Sequence, residues 1–173
     1  AALASTTSTA SAAASGTATL SSGWYWIRAV ESPYYHSYLQ SQPAATPAPA
    51  VLASPATAGQ FNIVDGQLVY NTGAGGQELY MWVQDPTDKT QRALSTWFNT
   101  TANPYGTFAF SGDTVDWVDP DVNRGNLGAF YVCPNATTGE NDLFINTGAY
   151  DYLTPTGCFD VDIHSYGAAT ATV

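Results

Sequence analysis

The sequence predicts an all-β fold, and three observations lead to that prediction. Aromatic residues make up 13% of the 173 residues and only 10% are charged, a composition that suits the pleated, half-buried surface of a sheet. Short apolar runs alternate with turn signals at close intervals, and no segment has the 3.6-residue periodicity of an amphipathic helix. The length fits one domain with a substantial core.

The chain divides into a low-complexity arm and one β domain. Residues 1–22 are almost entirely Ala, Ser, Thr and Gly, so they bury too little apolar surface to offset the entropy of ordering. We expect a flexible, O-glycosylated arm that orders only by adding to a sheet edge or to a neighbouring molecule, which makes self-association through residues 1–22 one hypothesis. Residues 23–173 form the domain, in which the proline-rich stretch 42–59 is predicted to be a long surface loop.

A weak internal repeat refines the fold prediction. The first strand of each unit is predicted at 24–30, 79–84 and 129–133, and the second at 37–40, 93–98 and 143–146. A hairpin follows at 60–69 and 107–117, with a degraded copy at 158–163. Three four-strand units with a period of about 50 residues are typical of a β-trefoil, in which three units close around a shared core. A β-sandwich is the alternative.

Trp26 and Trp82 lie on the predicted first strands of two units. Large aromatic side chains on strands usually fill the core. We therefore expect both indoles to be buried.

Two cysteines and two sequons indicate an extracellular location. Asn99 and Asn135 each begin an Asn-x-Thr sequon in a polar, turn-like stretch and are predicted to be N-glycosylated. Secretion in turn predicts that Cys133 and Cys158 form a disulfide. Four basic residues against fourteen acidic ones give a net charge of −10, which disfavours nucleic acid and anionic membranes as partners.

Three blocks of the sequence resemble a known family. They are VDGQLV at 64–69, NTTANPYGTFAFSGD at 99–113, and LFINTGAYDY at 143–152 continuing through TPTGC at 154–158. They are similar to secreted fungal cell-wall proteins related to the phialide-associated cell-wall protein, some of them IgE-binding or allergen-like. The resemblance covers residues 60–166 and implies a location in the wall or culture fluid, and no reaction.

The sequence predicts no catalytic residue. A nucleophile needs a base within reach, but His36 and Ser37 are neighbours that a strand would point to opposite faces, and His164 stands at the end of the last strand. The remaining enzymatic alternative is a glycosidase with paired carboxylates, drawn from Asp113, Asp116, Asp119, Asp121, Glu140, Asp142 and Asp151.

No cofactor and no metal site is predicted. Asp119, Asp121 and Asn123 have the spacing of a calcium loop, but the loop's glycine and final glutamate positions hold Arg124 and Phe130. A capped turn explains the three residues without a metal.

Tyrosines give the strongest binding signal. Sugar rings stack their C–H faces on exposed aromatic rings, and trefoil lectins place sites in comparable turns. The candidate carbohydrate-binding residues lie around the first predicted hairpin turn and after the second strand of the third unit: Tyr34, Tyr35, Tyr38, Tyr150 and Tyr152.

The sequence thus predicts a non-catalytic, secreted structural protein of the extracellular matrix or cell wall. Two alternatives stay open. One is a lectin-like module that binds cell-wall polysaccharide, and the other is a protein that self-assembles through its N-terminal arm.

Overall fold

A computed structural model describes residues 16–173 and is all-β, as predicted. Within that range thirteen strands and one 3-10 turn, Pro55–Thr57, form the regular structure, and there is no α-helix. The strands are β1 Trp26–Ala29, β2 Tyr38–Ser41, β3 Ala50–Ala53, β4 Gln60–Val64, β5 Gln67–Asn71, β6 Leu79–Val83, β7 Ala93–Asn99, β8 Thr107–Ser111, β9 Thr114–Val118, β10 Phe130–Pro134, β11 Asn141–Asn146, β12 Phe159–Val161 and β13 Ile163–Tyr166.

All strand pairs are antiparallel and join into one sheet. Its order is β4-β5-β6-β7-β11-β3-β2-β1-β13-β9-β8, and β10 pairs with β11 and β12. The two ends of this path approach each other, since Phe108 N on β8 donates to Gly66 O at the β4–β5 turn over 2.8 Å. The sheet is therefore nearly closed as a barrel, and not split into the two facing sheets of a β-sandwich.

The predicted hairpins at 60–69 and 107–117 are confirmed as β4–β5 and β8–β9. The first turn has Asp65 and Gly66 at φ of 50° and 77°, the positive-φ pair that tight hairpins favour. A Cβ on Gly66 would also lie 3.0 Å from Thr107, so glycine suits both the turn and the close approach of β8.

The third unit differs from the other two. β12 and β13 do not form a hairpin, because β12 pairs with β10 and β13 pairs with β1 and β9. The trefoil repeat is thus not confirmed.

The predicted disulfide between Cys133 and Cys158 is present. It continues the β10–β12 pairing by one position beyond the Val132–Phe159 pair.

Two predicted boundaries change. The stretch 42–59, predicted as a surface loop, contains β3, which pairs along its whole length with β2. Residues 16–22 belong to the domain, because Gly16 N and Leu20 N donate to the carbonyls of Ala171 and Ala169. The remainder of the arm, residues 1–15, lies outside the described range. The self-association hypothesis depends mainly on those residues and therefore stays a prediction.

Buried Arg124 ties three parts of the sheet together. Its guanidinium donates to the carbonyls of Asn146 on β11 (3.0 Å), Ala129 before β10 (2.7 Å) and Trp117 on β9. Desolvation lowers the pKa of Arg124 to about 10, and the charge of Asp116 partly offsets this. The planar fork of arginine reaches three acceptors that a lysine would not.

We predict that Arg124→Ala lowers the free energy of unfolding by roughly 3 kcal/mol or more, because it removes three buried hydrogen bonds from a charged donor, each contributing about 1.5–3 kcal/mol. Of the three acceptors, Ala129 O keeps a bond from Asn146 N. Denaturant unfolding measures this. Lys89→Ala is the control, since Lys89 and its ion-pair partner Asp85 are exposed and surface pairs contribute little. Equal stability of the two variants would contradict the role of Arg124.

Candidate functional site

The structure buries one of the five tyrosines predicted to bind sugar. Tyr38 has 0% of its surface exposed, and its hydroxyl donates to Thr172 O at 2.6 Å and accepts from Thr172 N at 3.0 Å. A ring without accessible surface offers nothing for a sugar to stack on. The prediction for Tyr38 was wrong, because the C-terminal segment covers the outer side of β2.

Tyr150 lines an acidic pocket, and Tyr34 packs on a residue of its wall. The pocket has a volume of about 390 Å³, and Tyr34 packs edge-on against Phe159 of the wall at 5.9 Å. Both hydroxyls have protein partners, since Tyr34 donates to Asn141 Oδ1 (3.5 Å) and Tyr150 to Asp160 O (3.1 Å). Neither ring is fully exposed.

Tyr35 and Tyr152 are the exposed members, at 58% and 60% of their surface. Tyr35 stacks on His36 with ring centroids 3.7 Å apart. Tyr152 has the Arg92 guanidinium 5.9 Å from its ring centre. Neither of the two tyrosines lines the acidic pocket, so the five candidates do not form one binding surface.

Carboxylates dominate the electrostatics of the acidic pocket. Burial, and then the charges of Glu31, Asp162, Asp151 and Asp160, raise the pKa of Tyr150 well above its usual range. Burial is also the main reason that the pKa of Asp162 is raised, with Glu31 next. Asp162 Oδ1 is buried and has no hydrogen-bond partner among the described residues.

The structure gives no support to metal binding. Within residues 16–173, no group of three or more His, Cys, Asp or Glu side chains is arranged to hold an ion. At the calcium-like spacing, Asp119 Oδ1 accepts from Asp121 N at 2.8 Å, which is an Asx turn.

The described residues contain no apolar helix long enough to cross a membrane.

A second surface, which the sequence analysis missed, lies where β7 and β11 separate. The two strands pair from Ala93–Asn146 to Ser95–Phe144. Beyond that point Trp97 bridges to Pro49 and Asp142 pairs with Val51. The segment 49–51 thus lies between the strands, and a depression of about 530 Å³ covers the fork. We call it the forked groove.

Aromatic and proline side chains form most of the forked groove. β7 alternates buried Leu94, Thr96 and Phe98 with half-buried residues, so its odd-numbered side chains face outward. Trp97 packs beside Trp82, its direct partner on β6, with ring centroids 6.0 Å apart. The outward-facing side chains that line the groove are Pro47, Pro49, Ser95, Trp97, Asp142 and Phe144.

Polar groups stand at the rim of the forked groove. Asp142 Oδ2 accepts from Asn135 Nδ2 at 2.9 Å, which leaves other lone pairs of the carboxylate for a ligand. Asn99 also lines the groove. An apolar cleft with a few polar groups is the usual form of a small-molecule site, and an aromatic floor with amide and carboxylate acceptors suits sugars.

Trp82 was expected in the core but faces outward, where its Nε1 donates to Thr101 O at 2.7 Å. The alternation in residues 79–83 carried this signal: Leu79, Met81 and Val83 are buried, while Tyr80 and Trp82 alternate with them. Exposed apolar residues on the outer face of a strand, opposite its core face, indicate an interaction surface for a ligand or another molecule.

Comparison with family models, curated proteins and solved structures finds no match to this chain. The resemblance to fungal wall proteins therefore stays a prediction.

We predict that Asp162→Asn stabilises the protein at about pH 7 and has little effect near pH 3. A raised folded-state pKa favours folding only below the unfolded-state pKa of about 3.9 and is lost as the pH rises through the folded-state value. The charged form of Asp162 thus opposes folding at neutral pH. Thermal melts at both pH values test this.

Asp121→Asn is the control for this prediction, since it removes the same charge at an exposed site. A pH-independent effect of Asp162→Asn, or an equal effect of Asp121→Asn, would contradict the assignment.

Proposed function

We propose that this chain is a non-catalytic, secreted protein of the extracellular matrix or cell wall that binds a neutral polysaccharide through the forked groove. The main support for this proposal is the pair of outward-facing indoles, Trp82 and Trp97, beside a groove with a carboxylate at its rim. The proposal keeps the structural role predicted from the sequence and gives it a means of attachment.

Stacking supports a sugar as the ligand. The face of an indole is electronegative and attracts the weakly positive C–H groups on one face of a pyranose ring. Phe144 and Trp97 stand on the two branches of the fork, so a sugar between them contacts aromatic surface on both sides. Asp142 and Asn99 then accept from or donate to its hydroxyls.

Charge supports a neutral polysaccharide. None of the described residues that line the groove is basic, and the chain carries a net charge of −10. An anionic or sulfated polymer would be repelled and would find no cation to pair with.

Secretion has its own support. The disulfide between Cys133 and Cys158 is typical of proteins that fold in an oxidising compartment. The predicted N-glycosylation sites stand where strands end: Asn99 is the last residue of β7, and Asn135 lies in the turn after β10, where its Oδ1 accepts from Thr137 N.

We predict that the purified protein, with its N-glycans removed, is retained saturably on at least one of insoluble chitin, β-1,3-glucan, mannan and cellulose. Trp97→Ala weakens retention about tenfold or more, equivalent to roughly 1.4 kcal/mol of binding free energy. Bovine albumin is the control for nonspecific adsorption.

Tyr35→Ala is the matched control variant, because it removes an exposed ring outside the groove. Thermal melts show that both variants are folded. If Tyr35→Ala or Tyr152→Ala abolishes retention while Trp97→Ala does not, the tyrosine turns are the site. If no polymer retains the protein, the polysaccharide proposal fails.

A further inference from the structure

The sequon at Asn99 lies on the aromatic surface described above. Asn99 is the last residue of β7 and faces outward. Trp97 is two residues earlier on the same face, about 7 Å along the strand. Tyr80 is the direct partner of Asn99 across the β6–β7 pair. The chain thus has an aromatic ring on two sides of the glycosylation site.

Hydrogen bonds fix the position of the sequon beside the indole pair. Asn99 Oδ1 accepts from Thr100 N at 2.7 Å, and Asn99 Nδ2 has no hydrogen-bond partner in residues 16–173. Thr101, the hydroxyl residue of the sequon, is exposed, while its carbonyl accepts from Trp82 Nε1. The backbone of the sequon is therefore tethered to the indole pair through the Thr101 carbonyl, and the Asn99 side chain lines the groove.

The second sequon lacks this environment. Two residues before Asn135 stands the disulfide-bonded Cys133, and Asn135 Nδ2 already donates to Asp142. Asn135 lies at the rim of an adjoining depression, lined also by Pro49 and Asp142. It offers an internal control: the same modification without an aromatic ring at the corresponding position.

We infer that an N-glycan on Asn99 folds back onto Trp97, fills the forked groove and so determines whether a polysaccharide enters it. In the modification, Asn99 Nδ2 forms a bond to the anomeric carbon of a lipid-diphosphate-linked oligosaccharide. The lipid diphosphate leaves, and the amide loses one proton. The first N-acetylglucosamine then lies next to the indole face, by the same stacking that the proposed function assigns to a free sugar.

The groove has two states in consequence. With Asn99 glycosylated, the covalent glycan has a high effective concentration at Trp97 and excludes a free chain. With Asn99 unmodified, the groove is open. The gating part of this inference rests on the proposed function, whereas the docking of the glycan on Trp97 does not.

The docking is tested by a double-mutant cycle on protein secreted from a glycosylating host. Melting temperatures are compared for the wild type, Thr101→Ala, Trp97→Ala and the double variant. Thr101→Ala removes the Asn99 glycan but leaves Asn99 itself and the backbone carbonyl of residue 101. We expect the glycan to raise the melting temperature only when Trp97 is present. Thr137→Ala, which removes the Asn135 glycan, should give the same shift in both backgrounds.

An equal shift from the Asn99 glycan in both backgrounds, or a mass spectrum showing Asn99 unmodified, overturns the inference.

Gating is tested by retention on the polymer that binds the deglycosylated protein. Thr101→Ala should bind at least tenfold more tightly than wild type, and Thr101→Ser, which keeps the sequon, should not. Equal retention overturns gating. If no form binds any polymer while the cycle shows coupling, the proposed function fails and glycan docking stands.

Discussion

The pairing of β7 with β11 is the constraint on which the rest of the structure depends. In the strand order it is the link between the β4–β7 meander and the remaining strands, and it consists of only three residue pairs. Thr96 Oγ1 donates to Leu143 O at 2.6 Å where the pairing stops. At the other end, buried Asn146 donates to Asp160 and accepts from Gly148, and its carbonyl accepts from Arg124.

The short pairing also creates the groove. Had β7 and β11 continued in register, Trp97 would face Asp142 across a flat sheet. Instead the proline-rich segment enters between them, and Phe98 N donates to Ala48 O at 2.8 Å. Pro49 has no N–H to donate, which a residue at such a bridge tolerates. The depression and its aromatic walls are thus consequences of strand pairing and not of a flexible loop.

Local chemistry made part of the fold predictable. The Asp65-Gly66 turn specifies a hairpin through its positive φ values, and the disulfide followed from the cysteine count and the sequons. β3 was missed because prolines usually indicate a loop, whereas here β3 pairs with β2, just before the proline-rich stretch, and with β11, which is distant in sequence. The third unit also departed from the repeat through long-range pairing of β12 and β13.

The candidate site was harder to predict than the fold. Exposure separates a binding ring from a core ring, and it depends on what covers each face. Tyr38 is covered by the C-terminal segment around Thr172, 134 residues away in sequence, which no local pattern indicates. Trp82 gave a local signal in the two-faced apolar alternation of β6, but only the strand register placed it beside Trp97 of β7.

The central claim is that a sugar chain binds in the forked groove against Trp97, whose indole packs beside Trp82. Its most direct test is a titration of the deglycosylated, ¹⁵N-labelled protein with soluble oligosaccharides, followed through the five tryptophan indole N–H signals. Trp26 and Trp117 are buried and donate to Ala168 O and Tyr105 O, so their signals should stay in place while those of Trp82 and Trp97 move. Saturable shifts of that pair are the predicted result; binding that leaves both signals unmoved would contradict the account.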